Sequence, residues 1–359
     1  MGERRRGVPH PTRRRMSTAP LRLRVVATVA ETDDARSVVL AAEDGAPVGY
    51  RPGQFLTFRV PVAEGALARC YSLSSSPHHE PERLVVTVKR IPGGRGSAWM
   101  CDELAEGDVV DALRPAGTFT PRDLDRDLLL VAAGSGITPV LSILRSALAA
   151  GTGHVTVLYA NRDERSVIFA AELAALEQAH PGRLVVLHWL ESLHGLPDDE
   201  RLAARLTPYA AREAFVCGPA LFMRAVEKAL AAAGADPALV HVEEFVSLTG
   251  DPFAAPEPLA AGADEDEGAA ELEVTLDGET RTLPWVRSRP LTDVLLAAGL
   301  PAPYSCREGA CSACACVVTE GEVAMEVNQV LDDADLADGL VLGCQARPVS
   351  DRVRVSYDG

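Results

Sequence analysis

Apolar and polar positions change rhythm twice along this chain, and the changes divide it into regions. Between about residues 21 and 114, apolar residues come in short alternating or β-branched runs at 21–29, 55–60, 84–89 and 109–113, broken by Gly and Pro. Runs of period two with turn residues between them predict an antiparallel barrel or sandwich. From Asp127 the runs become continuously apolar and alternate with helical stretches. Leu128–Ala133 precedes a glycine turn and a helix to about Ala149, and 155–160 precedes a helix over 167–179. The runs 184–190, 215–217 and 240–245, with a helix over 220–233, complete the series. Buried strands alternating with amphipathic helices predict a parallel sheet with crossover connections. Residues 251–271 break the rhythm with Pro252, Pro256, Pro258 and the acidic run 264–267, the composition of a semi-flexible linker. Beyond it, runs at 272–276 and 280–285 flank Asp277 and Gly278 as a hairpin, and 291–299 reads as a short helix with Thr292 as its cap. The expected organisation is a disordered leader over 1–20, an antiparallel region over 21–122, an α/β region over 123–250, a linker over 251–271 and an α+β module over 272–359.

Composition narrows the functions open to this architecture. The 359 residues carry 51 acidic against 35 basic side chains, a net charge of −16, and 47% of them are hydrophobic. Packed cores follow, and a generic phosphate-backbone binder, which needs clustered Lys and Arg, is excluded. Among the 35 basic residues only Lys89 and Lys228 are lysines. With abundant Ala, Gly and Pro, that skew reads as genome base composition, so a single Arg carries little weight. The longest charge-free stretch, 128–144, contains Gly134, Gly136 and Pro139 and is shorter than the roughly 20 residues of a bilayer span. The Arg-rich N-terminus is followed by no apolar run, so it is no secretory signal. Its positive charge would suit a nucleic-acid arm, but it reads more simply as a leader, or as an upstream start with Met16 the true first residue. The expectation is a cytoplasmic protein with neither membrane nor nucleic acid as partner. In a reducing compartment, clustered cysteines favour metal over disulfides.

Five of the eight cysteines, Cys306, Cys311, Cys314, Cys316 and Cys344, lie close to the C-terminus. Cys306, Cys311 and Cys314, with Cys344 standing apart, match the plant-type [2Fe–2S] spacing of three clustered thiolates and one distant one. Gly309, Ala310, Ser312 and Ala313 are small enough for the backbone to wrap a cluster and aim its N–H groups at the sulfurs. Cys316 is left over as a non-ligand thiol. The alternatives are a zinc site, which more often presents two short-spaced pairs, and plain core cysteines.

Two further constellations belong to nucleotides. Arg69, Tyr71 and Ser72 end a strand in which alternation places Arg69 and Tyr71 on one face. An arginine can pair with a pyrophosphate, a tyrosine ring can stack on an isoalloxazine, and a serine hydroxyl can reach a flavin nitrogen. Gly94, Gly96 and Ser97 then offer backbone donors for a second phosphate contact. Gly134, Gly136, Thr138 and Pro139 follow a buried strand and open a helix, where a glycine turn accepts a pyrophosphate, although proline replaces the third glycine of the simple fingerprint. Cys217, Gly218 and Pro219 end a later strand at the same sheet edge. Asn161, Arg162, Asp163, Glu164 and Arg165 follow the second strand, where the adenosine 2′-position is read. An acid there favours NADH and an arginine NADPH, so the residues alone leave the dinucleotide open.

These three constellations, in this order from about Leu21 to Tyr357, resemble the ferredoxin–NAD(P)H reductases fused to a C-terminal plant-type ferredoxin. The stretch Tyr159, Ala160, Asn161, Arg162 and Asp163, the triplet Val167, Ile168 and Phe169, the stretch 187–193, and Ser305, Cys306, Arg307, Glu308 and Gly309 resemble the reductase components of 3-ketosteroid 9α-hydroxylases. Those of phenylacetyl-CoA epoxidases are similar in architecture. The resemblance implies an antiparallel β-barrel FAD domain, an α/β parallel-sheet NAD(P)-binding domain and a β-grasp ferredoxin. It implies that Arg69, Tyr71 and Ser72 bind FAD, that 134–139 and 217–219 flank the nicotinamide, and that Ser72 and Cys217 lie at the hydride-transferring atoms. It places Phe245 near the flavin face, makes Cys306, Cys311, Cys314 and Cys344 the iron ligands, and favours NADH over NADPH. The expected electron path is NADH to FAD to [2Fe–2S] to a separate terminal oxygenase. The rivals are an NADPH-dependent epoxidase reductase and a redox-inactive zinc-binding relative. Residues 272–359 hold twice as many acids as arginines, which suits docking on a positively charged partner or a generally acidic protein.

Overall fold

The computed structural model describes residues 20–254, 268–331 and 333–358. The expected leader, apart from Pro20, and most of the expected linker, 255–267, lie outside the described residues.

The first sheet uses β1 (Leu21–Thr32), β2 (Ala35–Ala42), β3 (Phe55–Val62), β4 (Gly65–Ser72), β5 (Leu84–Lys89) and, after helix α1 (Arg95–Asp102), β6 (Val109–Ala112). The strands pair antiparallel in the order β4-β3-β6-β1-β2-β5. A bridge between Leu73 and Val86 brings the chain beyond β4 back to β5 and closes the sheet into a barrel. Closure removes the exposed edges that an open antiparallel sheet would leave unpaired. Period-two alternation sends Leu23, Leu40, Leu56, Phe58, Val60 and Val86 into one buried core, and Met100 of α1 plugs it.

The second sheet contains β7 (Leu128–Ala133), β8 (Val155–Asn161), β9 (Leu184–Leu190), β10 (Glu213–Cys217) and β11 (Val240–Glu243). All neighbours are parallel in the order β11-β10-β7-β8-β9. Helices α2 (Ile137–Ala150), α3 (Ala170–Ala179), α4 (Glu191–His194), α5 (Asp199–Leu206) and α6 (Ala220–Ala232) make the connections. Every residue of β7, β8 and β10 is buried, which is why these strands read as continuous apolar runs. The chain runs outward from β7 to β9 and then returns to the other side of β7 with β10. The carboxyl ends of β7 and β10 therefore lie side by side at the point where strand order reverses, the place where open α/β sheets bind ligands. The helix expected over 167–179 begins only at Ala170, because Phe169 takes a left-handed φ of 62°.

The third sheet joins β12 (Ala270–Leu276), β13 (Glu279–Trp285), β14 (Ala315–Glu320), β16 (Leu340–Leu342) and β18 (Arg352–Ser356) in the order β13-β12-β18-β14-β16, with β12 and β18 parallel. A small pair, β15 (Val323–Met325) and β17 (Ala346–Pro348), sits beside it, with helices α7 (Leu291–Ala297) and α8 (Asp333–Ala337) between strands. Leu291, Val294 and Leu295 of α7 pack on Leu272, Val274 and Val353, so the mixed sheet and helix share one core. Thr292 is not the cap of α7. Pro290 holds that position, and Thr292 is buried in the first turn with its N–H donated to the Gly343 carbonyl at 3.0 Å. No helix among the described residues is long and apolar enough to cross a membrane.

Candidate functional site

Strand β4 carries the first site. Arg69 and Tyr71 stand opposite the buried Phe58 and Leu56 of β3, so they share the face that closes over the barrel end. The first turn of α1 meets them there. A Cβ on Gly96 would lie 2.8 Å from Arg69 Cγ and 3.2 Å from Tyr71 Oη, so only glycine admits this approach. Helix α1 starts at Gly94 without a side-chain cap, which leaves its first N–H groups for an anion. The Ser97 hydroxyl is already committed. It donates to the Gly94 carbonyl and accepts from Ile91 N, both at 3.2 Å, so only its backbone can serve a phosphate. Gly94 is equally constrained, since a Cβ there would lie 2.4 Å from Ile91 Cγ1. Ser72 is buried at the strand end, opposite Phe55. Burial raises the Tyr71 pKa, so its ring is neutral. The cradle of an arginine, a neutral aromatic face and an uncapped helix start fits a flavin dinucleotide.

The second site is at the strand-order reversal. A Cβ on Gly136 would lie 2.1 Å from the Cys217 carbonyl oxygen and 2.8 Å from Gly218 N. The loops after β7 and β10 therefore touch through bare backbone. Gly134 takes a φ of 53°, and its carbonyl accepts from Tyr159 Oη at 3.0 Å. Thr138 Oγ1 donates to the Ser135 carbonyl at 3.0 Å. Because Gly134–Gly136 is itself a 3-10 turn and α2 starts at Ile137, Pro139 is the third helical residue, where its missing N–H still costs nothing. Pro219 is the residue preceding α6. Cys217 is fully buried, and burial first and the Glu243 charge second raise its pKa, so it stays a neutral thiol.

Glu243 was missed by the sequence reading. It pairs with Cys217 across β10 and β11, its Oε2 is buried without a hydrogen bond, and burial pushes its pKa up to about 8. The available signal was an acid ending the last parallel strand, at the edge where ligands bind. Two residues on, Phe245 is about half exposed beyond the end of β11. Arg162 is exposed and lies 3.4 Å from Asp34 of the barrel, which also sits 3.7 Å from Lys89. Asp163, one of the two acids of this stretch, is engaged locally instead. Its carboxylate accepts from Ser166 N at 2.9 Å in a capping box.

The third site is the cysteine loop. Arg307, Gly309 and Ser312 all have positive φ, which curls the backbone inward. Gly309 has a further reason to lack a side chain, since a Cβ would meet the Val327 carbonyl at 2.7 Å. The N–H groups of Glu308 and Ala310 donate to Cys306 Sγ at 3.3 and 3.4 Å, and Cys306 N donates to Cys311 Sγ at 3.3 Å. Cys344 N donates to Cys314 Sγ at 3.4 Å, and Gln345 Nε2 to Cys344 Sγ at 3.5 Å. Each of the four sulfurs thus receives an N–H, as thiolates carrying iron would require. Hydrogen bonds from the Cys311 and Cys344 thiols lower the Cys306 pKa, and the bond from Cys344 lowers that of Cys314. Among the described residues no group of three or more His, Cys, Asp or Glu is placed to hold a single metal ion, whereas a two-iron cluster spreads its ligands over two centres. Cys316 sits apart, buried in the core of the third sheet, with its pKa pushed up to about 12 by burial.

The other face of β4 joins these sites. Ala68 and Cys70 pack against Cys306, Ala310 and Cys311 together with Leu248 and Phe253. Thr57 Oγ1 lies 3.3 Å from Cys70 Sγ and 2.5 Å from Ser305 Oγ, and Thr118 Oγ1 lies 2.9 Å from Ser312 Oγ. One strand therefore separates Arg69 and Tyr71 from a cluster-loop cysteine. A cavity of about 300 Å³, lined by Gln54, Gly117, Tyr304 and Ser312 among others, runs along the same junction.

Comparison with known proteins covers the same ground. The profile of the oxidoreductase FAD-binding domain matches residues 22–120, that of the oxidoreductase NAD-binding domain 130–228, and that of the 2Fe-2S iron-sulfur cluster binding domain 274–349. The ferredoxin reductase component of 3-ketosteroid-9-alpha-monooxygenase from Mycolicibacterium smegmatis is 54% identical over 94% of this chain and 97% of its own length. A component of the 1,2-phenylacetyl-CoA epoxidase of Escherichia coli K12 is 33% identical over 94% of this chain and 97% of its own length. Among solved structures, phthalate dioxygenase reductase, described as modular for electron transfer from pyridine nucleotides to [2Fe–2S], aligns with a TM-score of 0.57 and 26% identity, covering 94% of this chain and 98% of that one.

Proposed function

Because the chain belongs to the family of ferredoxin reductase components of multicomponent oxygenases, we propose that it serves a 3-ketosteroid 9α-hydroxylase, reducing a separate terminal oxygenase in the cytoplasm. It is an oxidoreductase whose FAD, NAD and [2Fe–2S] modules carry electrons from NADH through FAD to the cluster. When bound, NADH supplies a hydride, FAD converts that pair of electrons into single ones, and the cluster accepts them one at a time.

The chain's own residues divide the work. In this reading Arg69 pairs with the FAD pyrophosphate, Tyr71 offers its neutral ring to the flavin, Ser72 reaches a flavin nitrogen, and the Gly96 and Ser97 amides hold phosphate. The loops at Gly134, Gly136, Thr138 and Pro139 and at Cys217, Gly218 and Pro219 orient the nicotinamide. Cys217 contributes a neutral wall, and the protonated Glu243 is the buried acid able to move a proton there. Phe245 covers the flavin face until the nicotinamide takes its place. Cys306, Cys311, Cys314 and Cys344 hold the iron. Asp34 beside Arg162 supports NADH over NADPH, because it already neutralises the guanidinium that a 2′-phosphate would seek. The net charge of −16 speaks against a nucleic-acid partner.

The observation that carries this reading is β4, with Arg69 and Tyr71 on one face and Cys70 against Cys306 on the other. The test is reconstitution with each of two purified oxygenases. NADH-driven 9α-hydroxylation of a 3-ketosteroid, well above the rate with a phenylacetyl-CoA epoxidase oxygenase, is expected. The reverse preference would reject the steroid assignment.

A further inference from the structure

The electron path proposed above needs the cluster loop held against β4. Besides the direct Thr57–Ser305 and Thr118–Ser312 contacts, a set of polar contacts converges on residues 248–250. Leu248 is buried, packed between Ala68 and Cys70 of β4 and Cys306 and Cys311 of the loop. Its carbonyl accepts from Arg69 Nη1 at 3.2 Å, on the flavin side. Turning to the cluster side, Thr249 N and Thr249 Oγ1 each donate to the Glu308 carboxylate at 2.9 Å, and Gly250 N donates to the same group. Thr249 and Gly250 are exposed, so water is available to those amides, yet they point at a carboxylate. A carboxylate accepting several N–H and O–H groups makes charge-assisted bonds, stronger than neutral ones.

We propose that Glu308 is the positioning residue for electron transfer from flavin to cluster. Its carboxylate clasps 248–250, and that clasp, added to the Thr57–Ser305 and Thr118–Ser312 contacts, sets the cluster loop's distance from the strand carrying Arg69 and Tyr71. Each NADH oxidised to NAD⁺ yields one proton and two electrons, and the electrons cross this gap singly. The crossing rate falls steeply with distance, so a loosened clasp slows this step and no earlier one. The Glu308 backbone N–H that reaches Cys306 Sγ survives any side-chain substitution, which separates the clasp from the cluster's own hydrogen bonds.

The experiment uses the full-length protein carrying FAD and cluster, with Glu308→Ala and, independently, Thr249→Pro, which removes an N–H and the hydroxyl without touching the cluster loop. The Thr249 and Gly250 amides in Glu308→Ala, and the Gly250 amide in Thr249→Pro, should lose their protection from hydrogen exchange. Flavin reduction by NADH should keep its wild-type rate, and cluster reduction should slow at least tenfold at an unchanged cluster midpoint potential. Glu308→Gln, which keeps one acceptor oxygen, should recover part of the loss. Wild-type cluster reduction in both variants would overturn the proposal, as would a slowing that merely follows a shifted potential. Should Glu308→Ala lose its cluster, Thr249→Pro decides alone. A wild-type protein whose flavin is reduced by NADH while its cluster is not would refute the proposed electron order instead.

Discussion

The nucleotide sites and the cluster site hold their groups by opposite means. The former are built from what the backbone leaves out. Gly96 in the first turn of α1, and Gly134 and Gly136 beyond the end of β7, sit where a Cβ would strike a neighbour or where φ is positive, against cores that exist without any ligand. The cluster site is built from what side chains supply, three of them on a loop with little regular structure between α7 and β14 and the fourth, Cys344, between β16 and β17. Thiols must give up their protons to bind iron, so metal affinity is part of that loop's folding energy. A preformed scaffold and a metal-dependent loop should therefore respond differently to damage.

The largest effect expected is at the ligands. Cys344→Ser, or chelation of the iron, should abolish reduction of cytochrome c and of the oxygenase, while NADH-driven reduction of ferricyanide through the flavin survives. Comparing the two acceptors on one preparation checks this, and parallel loss of both in a folded protein would break the contrast. At the nucleotide sites, Gly136→Val forces atoms into the Cys217 carbonyl. Overpacking typically costs about 1–3 kcal/mol, so thermal unfolding should come earlier and KM for NADH should rise with the iron content unchanged. In the proposed FAD site, Tyr71→Ala would remove one aromatic face from the flavin. With about 1.5 kcal/mol for such a stack, FAD should bind roughly tenfold more weakly, measured by flavin release on dilution.

A smaller effect concerns Glu243. Its pKa in the folded chain, about 8, lies above the usual 4.5, so between those values the folded protein keeps a proton that the unfolded chain has released. That contribution to stability is therefore complete at acid pH and declines as pH rises towards 8. Denaturant titrations at several pH values should show Glu243→Gln gaining on the wild type across this window, and parallel curves would contradict the assignment. The smallest is Asp34→Asn, which frees Arg162 and should improve the use of NADPH relative to NADH several-fold, read as the ratio of kcat/KM values.

Much of this was legible in the sequence because it is local. The change from alternating to continuous apolar runs near Asp127 marks the passage from a barrel solvated outside to a sheet covered on both faces. The spacing of Cys306, Cys311 and Cys314 is a geometric demand of the cluster, and Cys316 was set aside by the same spacing. What the sequence hid is contact at long range. Thr57 and Ser305 are 248 residues apart, and hydroxyl groups leave no periodic trace. Glu308 reads as one more surface acid until the chain brings residues 249 and 250 to it. Glu243 reads as the polar end of a strand until the segment at Gly117, whose Cβ would lie 3.9 Å from Glu243 Oε1, comes up against it from the first region. Asp163 is legible locally, since Ser166 three residues later is the partner of a capping box.

In the proposed path electrons cross β4 from the flavin to the cluster, and a single-turnover experiment tests that crossing. One equivalent of NADH is mixed anaerobically with the fully loaded protein while flavin and cluster absorbance are followed separately. The account predicts that the flavin bleaches first and the cluster follows, and that in Cys344→Ser the flavin bleaches at the same rate and stays reduced. Bleaching of the cluster ahead of the flavin, or loss of flavin bleaching in a folded Cys344→Ser protein, would contradict it.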